Sequence, residues 1–405
     1  MNDTAASNTM LSIDGVRLGT VAAGVRKPGR PDVVLFELAA GSACAAVFTR
    51  NAFCAAPVIL GRSHLSVRMP RYLLINSGNA NAGTGAAGMA AAQACCEAVA
   101  VHGGCAQEEV LPFSTGVIGE PLPVDRIRNA LGGAFQALRA DGWEEAARGI
   151  MTTDTMPKAV SRRVRLGDVE VVLNGIAKGA GMIHPNMATM LCFMATDARI
   201  AAPLLQRCLA DAVDESFHCI TVDGDTSTND ACVLVASGAR DMQPLVSPED
   251  PRYEALRVAV EEVCRELATA IVLDAEGATK FITIRVEEGR DREECLAAAR
   301  TIALSPLVKT AFFAGDPNWG RILAALGRAP LVALDVNRVC IDLDEVCIVR
   351  AGQRADDYTE ERGREVMQRS RITVRVRLGR GAARAHVWTS DLSYDYVRIN
   401  AEYRT

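Results

Sequence analysis

The stretch Lys178–Thr196 reads KGAGMIHPNMATMLCFMAT. It opens on a Gly-rich turn, passes through His184-Pro185-Asn186, and reaches Ala188-Thr189 ahead of an apolar run. That run predicts a buried core strand. A threonine placed just before such a strand can attack the peptide bond that precedes it. The chain is then cut, and the threonine emerges as an N-terminal nucleophile with its own α-amine as base. The plain alternative is a loop leading into a core strand, and this stretch alone leaves both readings open.

The rest of the composition narrows the field. At 405 residues the chain is long enough for two or three domains. Its 49% hydrophobic and 23% charged residues allow a large globular core. A net charge of −5 predicts no nucleic-acid surface. The thirteen cysteines are odd in number and scattered without CxxC pairs. They predict a reducing, cytoplasmic setting, neither a disulfide framework nor a metal site, and mostly small core residues, as at Cys44, Cys192, Cys232 and Cys340. The start, MNDTAASNTM, carries no secretory pattern, and no run reaches the roughly 18 apolar residues of a membrane span.

Outward from the opening stretch, residues 11–60 read as short antiparallel strands. Tyr72-Leu-Leu-Ile-Asn predicts another strand, leading into an amide-rich loop. Gly83-Thr-Gly-Ala-Ala-Gly88 formally matches a dinucleotide fingerprint, but a whole loop separates it from the strand, so a nucleotide site is rejected. Ser114-Thr115-Gly116 reads as a turn after a strand, either an ordinary turn or a candidate oxyanion hole. Thr152, Thr153, Asp154 and Thr155 form a polar cluster that either lines a site or caps and turns the chain. Helices are predicted over 86–101, 124–148, 202–216, 251–274 and 295–303. Asp223–Asp230 lacks the Gly and Glu of a calcium loop and reads as a polar loop. The segment 305–321 reads as turns, the Arg-rich segment 362–384 as strand surface, and the tail 391–405 as strand-like and tied down.

Taken together, these blocks resemble the glutamate/ornithine N-acetyltransferase family of arginine biosynthesis, the ArgJ enzymes. The matching blocks are VAAGVRKPGRPDV, INSGNANAGTG, STGVIGEPLP, MTTDTMPK, KGAGMIHPNMATML, ITVDGDTSTND, DAEGATKF, FFAGDPNWGRILAALG and DLSYDYVRINAEYRT, in order along almost the whole chain. The resemblance implies an α/β fold with two layers of β-sheet enclosed by helices. It implies a precursor that cuts itself at Ala188–Thr189 into an α chain, residues 1–188, and a β chain, residues 189–405. The freed α-amine has a reference pKa of about 7.7–8.0, suited to a base near neutrality.

The implied reaction is a ping-pong transfer of acetyl from N-acetylornithine through Thr189 to glutamate, with acetyl-CoA as a possible second donor and no other cofactor. Thr115 and Gly116 match the oxyanion hole. Thr152, Lys178, Thr189, Glu276, Asn400 and Thr405 match substrate contacts. By charge, Lys178 suits a substrate carboxylate and Glu276 an ammonium group. His184 and His218 stand where no histidine is required. The implied assembly is two α plus two β chains in the cytoplasm, with small-molecule partners, no nucleic acid and no membrane. Two other readings share the residues: an amidase or aminopeptidase using the same threonine with water as acceptor, and an uncut binding or scaffold protein.

Overall fold

The computed structural model describes residues 10–184 and 190–402. The apolar run after the loop is the strand Leu191–Thr196, buried at every position. Its alternation is hidden in the sequence because both faces meet apolar partners. Leu191, Phe193 and Ala195 face one core, Cys192 and Met194 another.

This strand sits in the middle of a five-stranded central sheet. The order is Ala43–Phe48, Ala231–Ala236, Leu191–Thr196, Val169–Lys178, Lys158–Leu166. A four-stranded sheet, Val16–Val21, Val33–Leu38, Tyr72–Asn79, Val110–Val117, lies against it. Phe36, Ile75 and Phe113 of the four-stranded sheet meet Ile176, Phe193 and Val233 of the central one. Phe113 and Phe193 pack edge to face at 5.0 Å, and Phe36 meets Trp143 the same way at 5.7 Å. Such pairs add about 0.5–1.5 kcal/mol each beyond their buried area.

Helices cover both outer faces. Gly85–Gly103 and Val124–Gln136 lie on the four-stranded sheet; Ala202–Asp214 and Pro251–Leu273 lie on the central sheet. The expected two sheet layers enclosed by helices are therefore present. A third, seven-stranded mixed sheet is an addition the sequence did not suggest. It forms its own core with the helices Arg292–Ala303, Pro306–Ala314 and Trp319–Gly327.

Several local expectations change. Ala43–Phe48 leaves its neighbours to join the central sheet, and Ala56–Val67, begun by Pro57 in its first turn, is a helix. Residues 158–178 form a hairpin, Lys158–Leu166 with Val169–Lys178. Pro306–Ala314 is a helix because the Ser305 hydroxyl caps Val308 N–H. Glu360–Met367 within the Arg-rich segment is helical, followed by the strand Arg371–Arg377. The tail is the helix Tyr394–Glu402, tied down as expected but not as a strand. No single helix among the described residues is long and apolar enough to cross a membrane.

Candidate active site

The two layered sheets end together on one side. There the last residue of Val169–Lys178 meets the end of Val110–Val117. Ser114, Thr115 and Gly116 thus belong to a strand end and not to a free turn. Gly116 has φ of +134° and its ladder partner Gly78 has φ of +102°. The register slips between Gly78 and Asn79, which re-aims the backbone at the strand end. A Cβ on Gly116 would run into the Gly78 backbone, so only glycine fits.

A cavity of about 170 Å³ opens at this point. Thr115, Gly116, Thr152, Lys178, Glu276 and Asn400 all line it, from five separate parts of the chain. Thr153 lines it as well, so the neighbouring threonines share the wall. Ala188, Thr189 and Thr405, the remaining predicted site residues, lie outside the described residues. The described chain resumes at Met190, which is buried, and Lys178 pairs in register with Leu191.

Lys178 is a buried lysine with a defined partner. Its Nζ donates to Thr115 Oγ1 at 3.1 Å. A hydroxyl has a single hydrogen. Because its oxygen accepts from Lys178, that hydrogen is left for another acceptor. Burial pushes the Lys178 pKa below the usual lysine range. Asp154, Asp230 and Glu276 work against that drop, while nearby Lys158 adds to it.

The carboxylates around this lysine are each held. Asp154 Oδ1 accepts from Lys158 Nζ and from Gly179 N–H, both at 2.7 Å, and its Oδ2 accepts from Thr152 N–H at 3.0 Å. Burial works to raise its pKa, but Lys178, Lys158 and these hydrogen bonds hold it at about 2. Lys158 also bonds Asp274 at 2.7 Å, making a buried chain of alternating charge under the cavity floor. Asp230 is fully buried. Its Oδ1 accepts from Met190 N–H at 3.0 Å, and its Oδ2 has no partner among the described residues. Burial pushes this carboxyl well up.

On the opposite wall, Asn400 Nδ2 donates to Glu276 Oε2 at 2.7 Å, anchoring the C-terminal helix to the site. Glu276 lies against Gly181, where a Cβ would come within 2.5 Å of Oε2. Asp223 accepts from the N–H groups of Met182 (2.7 Å) and Ile183 (2.9 Å) and from the Tyr396 hydroxyl (3.1 Å). It thereby fixes the Gly-rich turn that leads to residue 184. Asn229 Nδ2 bridges the two sheets through Ala80 O and Ser114 O, at 2.7 and 2.9 Å.

Asp223, Asn229, Tyr396 and Asp230 were not singled out from sequence as site residues. The signal that could have found them is the density of carboxylates and amides in 223–230, which a solvated loop does not need. His184 stands beside Thr221, and His218 bonds Asp214 at 2.6 Å; neither histidine lines the cavity. The Gly83–Gly88 stretch starts a helix whose Gly88 carbonyl accepts from Asn81 Nδ2 at 2.9 Å. It thereby packs a loop onto a helix.

A model of the ArgJ family matches residues 17–405. The arginine biosynthesis bifunctional protein ArgJ of Methylococcus capsulatus is 64% identical over 393 residues, covering 97% of this chain and 96% of its own. That of Pseudomonas syringae pv. tomato is 53% identical, covering 97% of each. Among solved structures, the Bacillus halodurans arginine biosynthesis bifunctional protein is 36% identical over 51% of this chain and 96% of its own, with a TM-score of 0.49. The ornithine acetyltransferase of Mycobacterium tuberculosis, solved with ornithine, is 34% identical over 43% of this chain and 92% of its own, with a TM-score of 0.38. With the family match running from residue 17 to the last residue and relatives this similar over nearly their full lengths, the chain belongs to the ArgJ family.

Proposed function

We propose that this protein is an acetyltransferase of arginine biosynthesis that moves acetyl from N-acetylornithine to glutamate through an acetyl-Thr189 intermediate. The observation that carries the reading is the junction of Lys178, Thr115 and the resuming strand. Lys178 bonds Thr115 and pairs with Leu191, two residues after Thr189, at the edge of a cavity that also holds Glu276 and Asn400. Family membership and the printed names of the relatives support the same reaction class.

The precursor step precedes transfer. The Thr189 hydroxyl attacks the Ala188 carbonyl, the acyl group moves from nitrogen to oxygen, and water hydrolyses the ester. Residues 1–188 and 189–405 become separate chains, and Thr189 gains a free α-amine. In the first half-reaction that amine takes the hydroxyl proton as Oγ attacks the acetyl carbonyl of N-acetylornithine. The oxygen that becomes negative is met by the Thr115 hydroxyl and the backbone at Gly116. One such donor is worth roughly 3–4 kcal/mol. Collapse breaks the amide C–N bond, the leaving nitrogen takes the proton, and ornithine departs. The glutamate amine then attacks the ester, and the same steps run in reverse order.

Lys178 and Glu276 offer one charge of each sign to an amino-acid substrate, and water as acceptor would need neither. Acetyl-CoA as second donor, a cytoplasmic location and an assembly of two α plus two β chains complete the proposal.

The test is to supply N-acetylornithine and glutamate together and measure ornithine, acetylglutamate and free acetate. Stoichiometric acetylglutamate is expected. Acetate without acetylglutamate would make the protein an amidase. Denaturing mass spectrometry of the same sample is expected to give two chains, and Thr189→Ala a single inactive one. A single chain in the unmutated protein, with no turnover, would leave the scaffold reading.

A further inference from the structure

A ping-pong site of this kind has to take two side chains of opposite charge, one after the other. The main cavity is lopsided for that task. Asp223, Asp225 and Glu276 line it, which suits an ammonium group, and Lys178, its single lining cation among the described residues, can meet one carboxylate of a substrate that carries two. A second cleft of about 60 Å³ lies directly behind Thr152, which lines both. Arg26, Lys27 and Arg30 line this second cleft.

The linings of the two spaces adjoin. Gly78 lines the cleft, Gly116 lines the main cavity, and the two are ladder partners without side chains. The cationic loop is also fixed to that lining. Arg30 donates to Met151 O at 2.7 Å and Thr152 O at 3.4 Å. Exposed cations on a loop are ordinarily only solvated. Here three of them line a cleft that shares Thr152 with the site.

We propose that the Arg26–Lys27–Arg30 cleft is the subsite for the side-chain carboxylate of the acidic acceptor, reached past Thr152 from the main cavity. Asp223, Asp225 and Glu276 would then receive the ammonium of the donor's side chain, so that different parts of one site read opposite charges. This rests on the acyl-transfer reading above. Guanidinium and ammonium groups both pair with carboxylates, Arg in a bidentate manner.

The experiment separates the half-reactions of the double variant Arg26→Glu/Lys27→Glu, with Arg26→Gln/Lys27→Gln as the milder pair. The expected result is a rise of at least tenfold in KM for glutamate and loss of the preference for glutamate over glutamine. Ornithine release from N-acetylornithine without acceptor should stay within twofold of the unmutated enzyme. An unchanged glutamate-to-glutamine preference would overturn the proposal, as would an equal loss in both half-reactions. So would a defect confined to acetyl-CoA as donor, because that would make the cleft a phosphate site. If the unmutated enzyme forms no acetylglutamate at all, the acyl-transfer reading fails instead, and that result is distinct from the others.

Discussion

Lys178 donates its Nζ hydrogen to Thr115 Oγ1 at 3.1 Å, across 63 residues of chain and from one β-sheet to the other. With its oxygen occupied as an acceptor, the Thr115 hydroxyl keeps its one hydrogen for another acceptor, which in the proposed reaction is the reacting oxygen. Thr115→Val keeps the shape and removes the hydrogen. It should lower kcat by about 10²–10³-fold with little change in KM, and Thr115→Ser should restore most of the rate. Steady-state kinetics on N-acetylornithine and glutamate would show this, and a Thr115→Val enzyme with unchanged kcat would remove Thr115 from the oxyanion site.

Gly116 carries a backbone angle of +134° and faces the Gly78 backbone with no room for a Cβ. Gly116→Ala should therefore strain the strand end and push its strand away from Tyr72–Asn79 within the same sheet. An activity loss of at least a hundredfold is expected, with a fall in stability of about 1–3 kcal/mol. Urea denaturation alongside activity measures both.

Asn400 reaches Glu276 at 2.7 Å over 124 residues. Hydrogen bonds to charged groups contribute about 1.5–3 kcal/mol, so Asn400→Ala should raise KM for the amino-acid substrates by roughly 10- to 100-fold. Its fold should survive, since Tyr396 still bonds Asp223. Circular dichroism and kinetics together would show whether loss of binding accompanies a native spectrum.

Asp154 has its pKa held at about 2, below the ordinary 3.8. The folded value is depressed, so its stabilisation is complete above the unfolded pKa and fades as pH falls toward the folded one. A drop of nearly two pH units corresponds to about 2 kcal/mol. Asp154→Asn should cost about 3–5 kcal/mol at neutral pH, because Lys158 and Lys178 lose a buried counter-charge. The stability gap between the two proteins should narrow between pH 4 and pH 2. Urea midpoints measured over that range would reveal a gap that stays constant if the charge is irrelevant.

The parts of the fold that could be read from sequence are those with a local signal. Pro251–Leu273 shows its apolar stripe, and Tyr72–Asn79 its β-rich run. The strand Leu191–Thr196 was legible as core, but its two faces were not, since Phe193 and Met194 are both apolar and only the layers around them differ. The tail was misread because Tyr394 and Tyr396 favour strands in isolation, while tertiary bonds to Asp223 and Glu276 select a helix. Ser305, a good N-cap before a proline, marked a helix that the neighbouring turn residues masked. At the site, Thr115, Gly116, Thr152, Lys178, Glu276 and Asn400 line one cavity, a convergence that no local signal in the sequence displays. The cationic cleft behind Thr152 could not be foreseen, because Arg26 and Arg30 look like any surface arginine until Met151 and Gly78 are placed beside them.

The central sheet has one more consequence. Its strand order sets two adjacent strands from after residue 188 between strands from before it: Ala43–Phe48 pairs with Ala231–Ala236, and Leu191–Thr196 with Val169–Lys178. Once cut, the two chains would remain interlocked through shared ladders, and neither could leave without unzipping the core. Unfolding would then release two separate molecules, so recovery would depend on their meeting again. Refolding of the cut protein becomes a second-order reaction, slow when dilute, whereas the uncut precursor refolds as one chain at any concentration.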